Sequence, residues 1–268
     1  MSTSDFREGA GLQTEHTHFD GGAGMISAAG LGELAPHVDG RLVRICVALV
    51  AVDLFFIAVF SIHTIYVPLY NENTPILGNR WDIERDQSYA EIFGYLKILA
   101  ILAMLISIPG VWKRPIYLAF SAIFTFVLLD DSLEVHETLG FLIAETLDLP
   151  AVGGLRPIDP GELLIWTLAG IPLLGAAVAA ILRSPREDRR NGLLLMAALA
   201  ALALFAVVAD MAHVVLRRAF RGADDLFAVI EEGGEQVTLS LMCGLAVLIR
   251  RDVRSRESRA RLSANRER

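Results

Sequence analysis

Cysteine is scarce in this chain of 268 residues, with only Cys46 and Cys243, and both fall inside apolar runs. That excludes a secreted disulfide scaffold, and it reads both thiols as small buried apolar side chains and not a disulfide. Lysine is scarcer than the charge total implies, because Lys97 and Lys113 are the only lysines among 24 basic residues. An Arg-for-Lys bias of this kind reads as a GC-rich bacterial origin. Charge of any sign is sparse at 21%, below the roughly one quarter of a soluble domain. Residues 1–40 contain no apolar stretch of the kind that begins a secretory signal. A disordered chain, a fibrous repeat and an ordinary soluble enzyme are excluded as well.

What the chain has in excess is apolar sequence: 54% hydrophobic residues and a mean hydropathy of +0.49. The excess is gathered into runs. A helix needs about 20 mostly apolar residues to cross ~30 Å of hydrocarbon. Six stretches qualify, near 43–67, 91–112, 115–137, 161–183, 192–216 and 226–249. The expected fold is therefore an all-α, polytopic transmembrane helical bundle with six spans. Its organisation is a flexible tail (1–40), a membrane domain (41–250) and an Arg-rich tail (251–268). The stretch 138–148 is too short to span and is expected to lie along the interface as an amphipathic continuation of the third helix.

Orientation follows from basic residues, which resist translocation. With both termini cytoplasmic, the inner segments hold 17 Lys and Arg and the outer loops hold six, with Lys97 inside a span. The exceptions that weigh against this are Arg217, Arg218 and Arg221 on the outer side. A bacterial cytoplasmic (inner) membrane is the expected location. The lipid bilayer is the expected partner, with the Arg-rich C-terminal tail reaching anionic lipid and no nucleic-acid surface.

The charged residues within the spans fall at one depth. The third span reaches its outer half as LLDDSLEVHETLG, carrying Asp130, Asp131, Glu134, His136 and Glu137. The fifth contributes Asp210 and His213, the sixth Glu231, Glu232 and Glu235, and the first His63. Each charge in hydrocarbon costs ~2.5–3.5 kcal/mol on insertion scales, so such residues mark a site or an internal pair. On one continuous helix Asp130, Glu134 and Glu137 share about 60° of arc, with Asp131 beside them and His136 pointing away.

Three explanations compete. Carboxylates with imidazoles suit a divalent metal, Zn, Mn or Fe, on Asp130, Asp131, Glu134, His136, Glu137, Asp210, His213, Glu231, Glu232, Glu235 and His63. The same groups are the material of a proton or cation relay, and hence of a coupled transporter. The plainest alternative is acids capping helix ends in water. It is strongest for Glu91, Glu137 and Glu162. A non-catalytic membrane partner completes the functional classes. Lys97 is expected to snorkel or pair, and Asp53 to be held by hydroxyls or a proton. The Trp residues 81, 112 and 166, with Tyr66, Tyr70 and Tyr89, are expected as interfacial anchors. The pair Gly233-Gly234 is expected either to let helices approach closely or to unwind the helix locally. The loop NENTPILGNRWDIERDQSYAE reads as a solvated loop, with a lid over the site as the functional alternative.

The motifs LDDSLEVHE, EEGGE and WDIERDQSYAE together resemble a family of uncharacterised bacterial multipass membrane proteins. That resemblance marks Asp130, Asp131, His136, Glu137, Glu231, Glu232 and Glu235 over most of residues 43–250, and implies no particular activity. A weaker likeness is to the intramembrane hydrolases of the alkaline ceramidase and adiponectin-receptor type. It implies a metal-dependent hydrolase with a seven-helix core and a three-His metal. The chain as read has six helices and no His-x-x-x-His pair.

Overall fold

A computed structural model describes residues 37–70, 79–151, 155–216 and 224–266. The tail 1–36, the loop segment 71–78 and Arg217, Arg218 and Arg221 lie outside the described residues. The described residues are helical, with no strand. We number the helices α1 (Gly40–Tyr70), α2 (Tyr89–Ile106), α3 (Pro115–Ser132), α4 (Val135–Thr146), α5 (Asp159–Arg183), α6 (Arg186–Ala203), α7 (Asp210–Leu216) and α8 (Asp224–Arg266). Six π-helical residues, Leu204–Ala209, join α6 to α7.

Local chemistry sets the boundaries. Ser88 caps α2 by accepting the Glu91 N–H at 3.1 Å. Pro115 opens α3 at a position where a missing N–H costs nothing. Gly110 has φ 65°, which lets the short turn after α2 reverse the chain.

Among the described residues, five stretches are long and apolar enough to cross a membrane: 40–65, 89–106, 115–133, 159–183 and 186–216. The six-span expectation is corrected to five. Helix α8 is not among them, because Glu231, Glu232 and Glu235 at one end and Arg250 and Arg251 at the other leave an apolar stretch shorter than ~20 residues. This helix instead runs along the bundle, packed against α1, α2, α6 and the π segment, and it continues without a break through residue 251 to Arg266.

The third predicted span also needs correction. It stops at Leu133, and Glu134 takes φ 52°, ψ 39° before α4 starts at Val135. The shared arc of Asp130, Glu134 and Glu137 therefore does not exist. The stretch beyond is no continuation of α3, since α4 folds back as a separate helix against α5. Gly140 and Gly161 make that packing possible. A Cβ on Gly161 would lie 2.3 Å from the Gly140 carbonyl oxygen.

The core lies between α2, α3, α5, α6 and α8, around Ile101, Leu105, Ile116, Tyr117, Phe120, Phe124 and Ile249. Gly233 and Gly234 serve close approach and not unwinding. A Cβ on either would strike Ile57 (2.8 Å) or Phe205 (2.2 Å), and α8 is continuous through them. Both cysteines are half-buried and form no disulfide, and the Cys243 thiol donates to the Lys97 carbonyl at 3.5 Å.

Candidate functional site

Lys97 and Asp53 lie in the middle of the bundle, 2% and 0% exposed. The Lys97 Nζ donates to Asp53 Oδ1 at 2.8 Å and to the Gln236 carbonyl at 2.7 Å. The Ser240 hydroxyl donates to the other Asp53 oxygen at 2.5 Å. A lysine and an aspartate on separate apolar helices thus satisfy one another, as each requires in a medium without water.

Toward the N-terminal end of α2, α5 and α8 the bundle encloses a chamber of about 910 Å³. Its upper wall is acidic, with Asp86, Glu91, Asp131, Glu137, Glu162, Asp210, Glu231, Glu232 and Glu235 all lining it. The cationic groups on the same wall are Arg85, Arg156 and His136. Asp159 accepts from both the backbone N–H and the Nε of Arg156 at 2.7 Å, and so fixes Arg156 at the rim. The lower wall is apolar, with Ile98, Ile123, Phe126, Leu173, Leu199 and Leu239.

The break at Glu134 organises the mouth. It brings the next residues back over the end of α3, so that Asp130 accepts the backbone N–H of His136 at 3.0 Å and lies 2.9 Å from its Nδ1. Nε2 of His136 then lies 4.0 Å from Glu137 Oε1. Oxygens of Asp86, Glu134 and Glu137 fall within 4.8 Å of one another, an arrangement able to hold a metal ion. Burial alone would lower the His136 pKa. The hydrogen bond and charge of Asp130 more than reverse this, and the ring titrates above its ordinary value. Burial pushes Glu137 above the usual carboxylate range.

Of the expected site residues, Asp131, His136, Glu137, Asp210, Glu231, Glu232 and Glu235 line the chamber. Asp130 stands behind His136, Glu134 joins the triad at the mouth, and His213 contacts Glu231 at 3.2 Å. His63 does not line the chamber, and its buried Nδ1 has no hydrogen-bond partner among the described residues. His136 was expected to point away, and the break in the helix reverses that.

Glu91 and Glu162, read from the sequence as interfacial, line the wall, as does Trp166, whose ring lies 5.8 Å from that of His136. The Tyr95 hydroxyl bridges the Glu91 carboxylate and the Asp131 carbonyl. The spacing S-Y-A-E at 88–91 signals a helix start, and only the fold shows that this start faces a cavity. Of the other expected anchors, Trp112 is 81% exposed, while Trp81 packs against Phe55, Phe56 and Tyr89. Residues 83–86 of the first loop line the chamber mouth.

A family model described as "Domain of unknown function (DUF8692)" matches residues 42–249, and the chain belongs to that family. Comparison with curated proteins and with solved structures finds no match. These comparisons give the likeness to alkaline ceramidases and adiponectin-type receptors no support.

Proposed function

We propose that the chain is a membrane-embedded divalent-metal protein whose ion is held at the chamber mouth by Asp86, Glu134, Glu137 and Nε2 of His136. One observation carries this: Asp130 grips His136 by both its backbone N–H and Nδ1, which turns Nε2 toward Glu137 beside the acidic triad. Metal-ligating histidines are commonly fixed by a carboxylate on the other ring nitrogen. Three carboxylates and an imidazole suit Mn, Fe or Zn. An ion there would activate a water against a substrate in the chamber, with Glu91 or Glu162 as the spare carboxylate, and this supports a metal-dependent hydrolase. The location we propose is a bacterial cytoplasmic membrane, with the Arg-rich end of the bundle inside and its tail near anionic lipid.

Elemental analysis of the purified chain tests the metal. About one ion per chain is expected. It should be lost in a Glu134→Gln, Glu137→Gln double variant, weakened ~10–100-fold by Asp130→Asn, and kept by Glu257→Gln at the opposite end. A metal content that ignores the first two changes, or no stoichiometric metal at all, overturns the proposal.

The pair Asp53–Lys97, directly beneath Gln236 of the chamber, supports a second reading as a proton or cation relay. Proteoliposome flux under a pH or ion gradient tests it. Beneath the pair the core is apolar, around Leu105, Met242, Ala246 and Ile249, which favours the metal site.

A further inference from the structure

The metal site at the mouth leaves the deeper chamber unexplained. Three features there bear on one another. Asp131, Glu231, Glu232 and Glu235 crowd the wall below the mouth. Next to them is Gln236, 8% exposed, whose Oε1 is buried and accepts no hydrogen bond among the described residues. A buried acceptor without a donor costs roughly 1–3 kcal/mol, and carboxylates in low dielectric call for a positive charge. Both demands are met by one kind of group, a cation that carries N–H donors. Gly94 keeps space for the Gln236 amide, since a Cβ there would lie 3.0 Å from Nε2.

The third feature is the way in. Most of the lower wall is sealed, with Ile98, Ile123 and Leu239 at 2, 5 and 4% exposure. Between α5 and the π segment it is not. Leu174, Leu204 and Val208 line the chamber yet are 42, 52 and 57% exposed, so the chamber meets the lipid-facing surface there. Along α5, from Glu162 at the acidic wall to Leu174 at this side opening, the chamber descends about 18 Å at ~1.5 Å per residue.

We propose that the chamber takes a lipid-borne amphiphile with a single long chain and a primary ammonium head. The head sits among Asp131, Glu231, Glu232 and Glu235 and donates to Gln236 Oε1. The tail lies along the apolar lower wall and enters sideways between α5 and the π segment. A volume near 910 Å³ is in the range of pockets that enclose small ligands. This goes beyond the metal site and does not depend on it.

The test uses the full chain in nanodiscs, washed with EDTA, with Trp81→Phe and Trp112→Phe so that Trp166 of the chamber wall is the only indole. The probe is dodecylammonium with a bromine placed near the head, at the depth of Trp166, where it quenches indole fluorescence on contact. The same chain carrying trimethylammonium or carboxylate provides the comparison. Saturable quenching by the ammonium is expected, at least tenfold tighter than with trimethylammonium and weakest with carboxylate. Gly170→Phe should weaken it at least tenfold. Gly170 lines the chamber and a Cβ there meets nothing within 4 Å, so an added side chain has open space at its base. Glu235→Gln should weaken the ammonium and leave the carboxylate probe unchanged. Equal quenching by ammonium and carboxylate in the unsubstituted chamber, or quenching indifferent to Gly170→Phe, overturns the proposal. Elemental analysis of the unwashed chain reports separately on the metal.

Discussion

The two ends of the bundle handle charge in opposite ways. At the arginine-rich end, Asp188 is 2% exposed and accepts from Arg114 at 2.5 Å, Tyr117 at 3.1 Å and Arg256 at 3.1 Å. Asp252 accepts from Arg190 at 3.2 Å, Asn191 at 3.2 Å and Arg256 at 2.9 Å. The starts of α3 and α6 are thereby tied to the middle of α8. At the chamber end ten carboxylates, Glu84 among them, share a wall with two arginines and one histidine. A network of paired opposite charges locks helices together. An excess of one sign around a cavity does not, and it creates demand for a ligand.

The sharpest way to break this contrast is to remove an acid at the arginine-rich end. Asp188→Ala leaves Arg114 and Arg256 without their shared partner, and a buried pair broken from one side costs roughly 3–5 kcal/mol. Thermal unfolding in detergent should show a large loss, and an unchanged melting temperature would mean that this network holds nothing together. Next in size is Gly161→Val at the contact between α4 and α5. The added carbons meet the Gly140 backbone, which cannot move as a side-chain tip can, and overpacking of this kind costs about 1–3 kcal/mol. Proteolysis within residues 147–158 should accelerate.

Smaller in size but opposite in sign is Glu232→Gln. Removing one of several repelling carboxylates should raise the melting temperature of the metal-free chain slightly, whereas the same neutralisation of Asp188 lowers it. Two losses of similar size would erase the distinction between the ends. The smallest effect concerns pH. His136 titrates above its ordinary value because Asp130 favours the imidazolium. A group raised on folding stabilises fully below its unfolded value of ~6.5, and that contribution fades as pH climbs through the folded value. His136→Gln should therefore cost more at pH 5.5 than at pH 8.5 in paired melting curves without metal. The arginine pairs at the other end give no such dependence.

The apolar runs in the sequence locate the membrane helices well, because ~20 apolar residues have few other uses. The last run misleads, since α8 is covered by its neighbours and tolerates more charge than a lipid-facing span. The convergence of acids at one end is legible for the same reason that it is unusual: charges at a common depth on separate segments. The geometry of the mouth is not. A left-handed conformation at Glu134 has no Gly or Asn to announce it, so a ruler of 100° per residue laid across it turns His136 the wrong way. Glu91 and Glu162 sit near helix ends, where a cap and a cavity wall look alike in sequence. The partnership of Asp53 with Lys97 spans 44 residues and belongs to packing alone.

The π segment Leu204–Ala209 has one further consequence. A π turn holds about one residue more than an α turn, and every residue downstream is rotated accordingly. Deleting a single residue from 204–209 would let the crossing close into a uniform α-helix and swing Asp210 by about 100° out of the chamber wall, while Arg186–Ala203 kept their places. The shortest possible change in chain length would then relocate an acid while sparing the helix before it.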